Sequence, residues 1–266
     1  MTNSTSNAIL KLGLLITGTP SPSVLNTSGD YLKIFTNHFN EALTALNKTQ
    51  ATNYNSVEFS PYYCFNNEIP ELTDGEDLEG WVITGSAFNS YDNEDWILRL
   101  IEFIKYKYNN TTAKFIGICF GFQLIIRALG GEVVKGDKGW EVGPFKIKVN
   151  NKYSKLFGLS DNELTLNQMH QDYAVRFPSI PTLEPFGTTE LCQFQGFYEP
   201  CKLLGVQGHP EYTEDHIKKI VNYRVSSGIF SEEFEKNVNN KQDELKDEGL
   251  RFSQSIVRFL INTLED

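Results

Sequence analysis

Residues 115–124 read FIGICFGFQL. An apolar, β-type run ends at Cys119, glycines stand two residues before and two after it, and helix-forming residues follow at once. The pattern predicts a strand over 115–118, a sharp turn at Cys119 and a helix over 123–129 closed by Gly130-Gly131. Such a turn projects the sulfur above the end of a sheet, and the flanking glycines relieve crowding where backbone packs on backbone. A helix N-terminus behind the sulfur favours the thiolate. The N–H of Phe120, the residue after the sulfur, is placed to hold an oxyanion.

The same alternation continues on either side. Residues 10–17 form a short apolar run closed by Gly18, Pro20 and Pro22, which reads as a buried strand and a loop. Tyr31, Ile34, Phe35, Phe39, Leu43 and Leu46 recur at helical spacing. A short strand is expected at 57–59, another apolar run at 81–84 is stopped by Gly85-Ser86, and a helix is expected over 95–108. Strands alternating with helices imply a mostly parallel sheet flanked by helices. Beyond Gly131, alternating Phe145, Ile147 and Val149, and then Leu164 and Leu166, predict a small antiparallel extension of that sheet. Ile217, Ile220 and Val221 mark one C-terminal helix, and Phe252, Ile256 and Leu260 another; residues 231–248 between them are rich in charge and Asn. Three parts are expected: a disordered N-terminus over 1–9, one α/β domain over 10–225, and a C-terminal helical extension over 226–266 packed on it.

Composition narrows the function classes. The net charge is −10 and no basic run is longer than two, which speaks against nucleic acid and anionic membrane as partners. No apolar run approaches the ~20 residues of a membrane span, and no signal peptide is read at the N-terminus. The sequons at Asn3, Asn26, Asn47, Asn109 and Asn110 are therefore read as Asn-rich composition. Four cysteines, Cys64, Cys119, Cys192 and Cys201, show no CxxC spacing and predict free thiols in the cytoplasm or nucleus.

A reactive Cys needs a base, and a carboxylate to orient that base. Four histidines compete. His38 falls inside the first amphipathic helix, His216 is expected to be solvated beside charges, and His170 lies in a polar connection, MHQDY. His209 stands in LLGVQGHPEY, where an apolar strand ends. Pro210 pushes the residue before it into extended geometry, so His209 and Glu211 can point to one side. His-x-Glu is also a metal-pair pattern, but no third or fourth ligand stands at metal spacing. No metal and no cofactor are expected.

Gly-Ile-Cys-Phe-Gly-Phe-Gln at 117–123 with Gly-His-Pro-Glu at 208–211 resembles the class I glutamine amidotransferases. The resemblance spans about residues 10–215 and implies their flavodoxin-like fold. It implies a Cys119–His209–Glu211 triad that cleaves a γ-carboxamide through a γ-glutamyl thioester. GWVITGS at 80–86 resembles the turn that supplies the second oxyanion donor, here Gly85 or Ser86, beside Phe120. Gln123 matches a substrate-holding Gln, and MHQD at 169–172 resembles a substrate loop, which makes His170 and Asp172 candidates. KGWEVG at 138–143 resembles a segment common after the elbow. Gly208 departs from the aromatic residue most synthetase-linked members carry before His-Pro-Glu. The Gln-Gly-His-Pro-Glu form is more similar to stand-alone γ-glutamyl peptidases and GMP-synthase-like proteins.

The expected function is hydrolysis of γ-glutamyl amides, such as small γ-glutamyl peptides including glutathione and its conjugates. One alternative is an amidotransferase or glutaminase subunit supplying ammonia to a separate synthetase; another is a non-catalytic regulatory protein of the same fold. No attached synthetase domain and no P-loop are read in the sequence. The expected partner is a small-molecule γ-glutamyl substrate, with a synthetase or a second copy of the chain as the assemblies considered.

Overall fold

The computed structural model describes residues 8–75 and 77–264. Its first half holds β1 (Ala8–Ile16), α1 (Pro22–Ser28), α2 (Tyr31–Asn47), β2 (Tyr54–Tyr63), β3 (Gly80–Ile83), α3 (Asp95–Asn110), β4 (Phe115–Ile118) and α4 (Phe120–Ala128). Next come β5 (Glu132–Val134), β6 (Glu141–Lys148), α5 (Asn151–Leu156), β7 (Glu163–His170), β8 (Tyr173–Arg176), β9 (Glu184–Pro185), β10 (Gly196–Glu199) and β11 (Leu203–Val206). The chain closes with α6 (Glu214–Ser226), α7 (Glu232–Glu244) and α8 (Gly249–Leu260).

A seven-stranded sheet runs in the order β2-β1-β3-β4-β11-β10-β9. The pairs from β2 to β11 are parallel, and β10 and β9 add antiparallel. β3, β4 and β11 are buried throughout, as near-continuous apolar runs covered on both faces should be. Successive residues of β3 take opposite sides: Val82 joins Phe35 and Phe39 of α2 and Phe252 and Ile256 of α8, while Trp81 and Ile83 join Trp96 and Leu100 of α3 and Phe122 of α4. The apolar stripe of α2 is launched by Asp30, whose carboxylate accepts from Lys33 N at 3.0 Å. α4 ends in a Schellman turn, with Gly131 N donating to Ile126 O at 2.8 Å, Gly130 N to Arg127 O at 3.2 Å, and Gly130 at φ +90°.

Several details differ from the sequence expectation. β1 starts at Ala8, two residues before Leu10; the disorder expected over 1–9 otherwise falls on residues 1–7, outside the described ones. β2 is much longer than 57–59, because it is an edge strand whose polar, half-exposed residues mask the apolar alternation. Only β9 and β10 extend the main sheet; β6–β7 and β5–β8 form two separate two-stranded ribbons. The charged stretch before α8 forms α7, which buries only Val238 and Gln242 and so carries no apolar stripe to read. Ser231 caps it by accepting from Phe234 N at 3.1 Å. Among the described residues no helix is long and apolar enough to cross a membrane.

β3, β4 and β11 end side by side and deliver Gly85, Cys119 and residues 207–211 to one edge of the sheet. Loops beyond the carboxyl ends of parallel strands are where open α/β sheets bind ligands.

Candidate active site

Cys119 is the N-cap of α4 and has φ +51° and ψ −101°, a conformation non-glycine residues rarely hold. Its N–H donates to Val206 O at 2.9 Å, and its C=O accepts from Gln123 N at 3.0 Å. The flanking glycines are required by contact. A Cβ on Gly117 would lie 2.8 Å from Phe122 N and Cα, and one on Gly121 would run into the Ile83 carbonyl oxygen. The N–H of Phe120 is at the first position of the helix, where the helix itself offers no acceptor.

His209 is buried, and its Nδ1 lies 2.7 Å from Glu211 Oε1. Its backbone N–H donates to Asn167 O at 2.7 Å. Tyr212 stacks on the imidazole at 4.3 Å between centroids and 7° between planes, and its hydroxyl meets that of Tyr31 at 3.0 Å. The ring converges with Cys119 on Gly85, where a Cβ would stand 2.7 Å from His209 Cε1 and 3.6 Å from Cys119 Cβ. Burial works against the imidazolium, but the negative charges of Glu211 and Cys119 outweigh it and raise the His209 pKa to about 10. Gly208 has a local cause: a Cβ there would press on Gln168 Nε2 at 2.7 Å and Leu166 Cβ at 3.0 Å, because β7 runs close by. Gly249, the first residue of α8, sits against the Pro210 carbonyl, and a Cβ there would collide with it.

Gln207 was not singled out by its sequence position, yet its Nε2 approaches Cys119 Sγ at 3.5 Å. Its Oε1 accepts from Gln123 Nε2 at 3.0 Å, and Gln123 Oε1 accepts from Ser90 Oγ at 2.9 Å. Gln123 Nε2 also donates to Asp172 O at 3.1 Å. The Gln123 amide is thus engaged by protein groups on both its atoms. The available signal was the period-2 series Gln207, His209, Glu211 at the end of a strand.

Cys119 opens into a cavity of about 270 Å³ that Ser86, Gln123, Trp140, His170, Asp172 and Arg224 help to line. Thr17 Oγ1 and Thr84 Oγ1 both donate to Gly85 O, at 3.1 and 3.0 Å. Ser86 Oγ donates to Thr17 O at 2.6 Å and so ties the turn to the end of β1.

Both substrate-loop candidates, His170 and Asp172, line the cavity. His170 is the last residue of β7 and is buried, with Nε2 2.9 Å from Glu141 Oε2 and Nδ1 3.0 Å from Asp172 O. Burial pushes the Glu141 carboxyl up, but His170, Thr189 and Gln195 outweigh it and leave it below its ordinary range. Glu141 falls in the KGWEVG segment, whose sequence does not show its partner, because 29 residues separate two neighbours on paired strands β6 and β7. Asp172 also lines the cavity; burial raises its pKa against the pull of Gly136 N and Tyr91.

The other histidines sort cleanly. His38 meets Ser253 Oγ at 2.7 Å, and burial lowers its pKa to about 4. His216 is not solvated: it is buried, completes a capping box with Thr213, and meets Ser28 Oγ at 2.9 Å. Among the described residues no group of three or more His, Cys, Asp or Glu could hold a metal ion.

Comparison with known proteins agrees with this architecture. The family model for glutamine amidotransferase class-I matches residues 43–222. The chain is 30% identical to a glutamine amidotransferase-like protein of Schizosaccharomyces pombe, over 94% of this chain and 98% of that one. It is 27% identical to gamma-glutamyl peptidase 3 of Arabidopsis thaliana, over 84% of this chain and 86% of the relative. The crystal structure of a glutamine amidotransferase from Thermotoga maritima superposes with a TM-score of 0.66 at 18% identity, covering 97% of this chain and 99% of that one. With a parallel sheet that ends on Cys119 and on the His-Pro-Glu segment, and with these relatives along nearly its whole length, the chain belongs to the class I glutamine amidotransferase family.

Proposed function

We propose that the chain is a cysteine hydrolase that cleaves γ-glutamyl amide bonds through a γ-glutamyl thioester. The observation that carries this reading is the buried 2.7 Å His209–Glu211 contact beside a nucleophile held at φ +51°. In this reading the Cys119 sulfur attacks the γ-carbonyl carbon, a C–S bond forms, and the carbonyl electrons move onto oxygen. The N–H of Phe120 and that of Ser86 hold this oxyanion. Ser86 is favoured over Gly85 because the Gly85 carbonyl is tied to Thr17 and Thr84, and a trans peptide then directs the next N–H the opposite way. His209 gives its proton to the departing amine, then takes one from water as the water attacks the thioester. Glu211 orients the ring and stabilises its charge. Asp172 faces the substrate ammonium; Gln123 and His170 hold the cavity wall. The unit over 10–225 carries the chemistry, and the extension over 226–266 supports it through Gly249 on Pro210. Four free thiols fit a reducing compartment, cytoplasmic or nuclear.

A second reading, a subunit that hydrolyses glutamine for a separate synthetase, is favoured by the family match itself. Incubating the purified protein alone with glutamine, glutathione and a glutathione S-conjugate separates the two. Free glutamate with Cys-Gly or its conjugate supports the peptidase, and glutamate with ammonia supports the glutaminase. Turnover that appears only on adding a second protein would point to the synthetase subunit.

A further inference from the structure

Arg224 belongs to α6, the helix that follows the His-Pro-Glu segment, and lines the cavity over Cys119. Its guanidinium carbon stands 4.6 Å from the centroid of Trp140 and 5.4 Å from that of Phe230. Those two rings meet edge to face at 5.3 Å. This seat fixes a planar cation, and among the described residues no side-chain hydrogen bond engages its N–H fork. Neighbouring cations of the same helix are neutralised, Lys218 by Glu214 and Lys219 by Asp215. Among the described residues no carboxylate pairs with Arg224 in this way. A half-buried cation without a counter-ion, facing a polar cavity, is a site for an anion.

Two parts of a γ-glutamyl peptide are anionic: the α-carboxylate of the glutamyl unit and the carboxylate of the leaving peptide. The glutamyl head is a zwitterion and needs both charges opposite it. Asp172 and Lys135 line the cavity together, and the Lys135 charge acts on Asp172. Arg224 reaches the cavity from α6, which begins just beyond Tyr212, and stacks on Trp140. Tyr212 is the ring stacked on His209, and His209 is the group that protonates the departing amine.

Building on the γ-glutamyl hydrolase reading above, we infer that Arg224 binds the carboxylate of the leaving group. The preferred substrates are then amino acids or short peptides joined through their amine to the γ-carboxyl and ending in a free carboxylate.

The test compares kcat/KM for γ-glutamyl-alanine and for its C-terminal carboxamide, with glutamine alongside. The wild type should favour the acid by about tenfold or more, the range a charge-assisted contact supplies. In Arg224→Met the acid and the amide should converge, and Arg224→Lys should keep part of the preference because the charge remains without the planar fork. A wild-type ratio near one, or an Arg224→Met loss equal for acid, amide and glutamine, would overturn the assignment while leaving the hydrolase reading standing. Failure of the wild type to cleave any of the three would overturn both.

Discussion

The Nε2 of His170 stands 2.9 Å from Glu141 Oε2, both side chains buried, at the joined ends of β6 and β7. Gln195 Nε2 also donates to Glu141 Oε2, at 2.7 Å. The pair borders the cavity but is part of the frame. Removing the ring takes a contact from a buried carboxylate, which costs about 1–3 kcal/mol. His170→Ala should therefore lower the urea midpoint strongly, and adding Glu141→Gln should restore part of the loss. A His170→Ala protein as stable as the wild type, altered only in KM, would return His170 to a substrate-contact role.

His209 and Glu211 make a different prediction, on pH. The His209 pKa rises from 6.5 to about 10 on folding, so the folded protein holds that proton more tightly. The resulting stabilisation is complete below pH 6.5 and is lost as pH climbs through 10. Denaturation series across that window should show falling stability, and Glu211→Gln should flatten the slope. An unchanged slope in Glu211→Gln would remove the pair as its source. In turnover, Glu211→Gln should lower kcat by about 10- to 10⁴-fold while Cys119→Ala abolishes it.

Thiol labelling tests the nucleophile. Burial pushes the Cys64 and Cys192 thiols up to about 12, whereas Cys201 is exposed. Near pH 7, iodoacetamide should modify Cys119 first, Cys201 at the rate of an ordinary surface thiol, and the other two last. His209→Ala should slow the first reaction. Equal rates for Cys119 and Cys201 in the wild type would count against an activated sulfur.

Glycine substitutions separate contact from conformation. Gly121→Ala drives a methyl into the Ile83 carbonyl and should destabilise by about 1–3 kcal/mol or prevent folding. Gly139 has φ +98° and open space around it, so Gly139→Ala should cost only the backbone strain, about 1–2 kcal/mol. Thermal unfolding of both variants gives the comparison, and a larger loss at Gly139 would contradict it.

What could be read from the sequence was local. The strand at 115–118 lies where apolar periodicity and the following glycine turn put it, and so does the Gly130-Gly131 stop. The His-Pro-Glu segment was legible because Pro210 constrains its neighbour. Pairings that cross the sheet were not. Glu141 meets His170, and Gln207 meets Cys119, only after distant strands are brought into register. α7 escaped notice because a helix that packs two side chains leaves no apolar stripe. His216 was misread as solvated because its charged neighbours on α6 face outward while the ring turns in to cap the helix.

The hydrogen-bond series Ser90–Gln123–Gln207–Cys119 has a direction. A primary amide presents a donor at one end and an acceptor at the other, so each member dictates which end the next can show. The Asp172 carbonyl, which can only accept, takes a proton of Gln123 Nε2 and so fixes that amide; the same nitrogen reaches Gln207 Oε1, which leaves a Gln207 nitrogen for the sulfur, while the Ser90 hydroxyl gives its proton to Gln123 Oε1. Polarity is thereby relayed from a loop outside the sheet to the Cys119 sulfur through side chains that need never move. The backbone carbonyl of Asp172 therefore acts on the sulfur at two removes: by holding the Gln123 nitrogen it keeps the Gln207 oxygen engaged, and the sulfur faces a donor and not an oxygen.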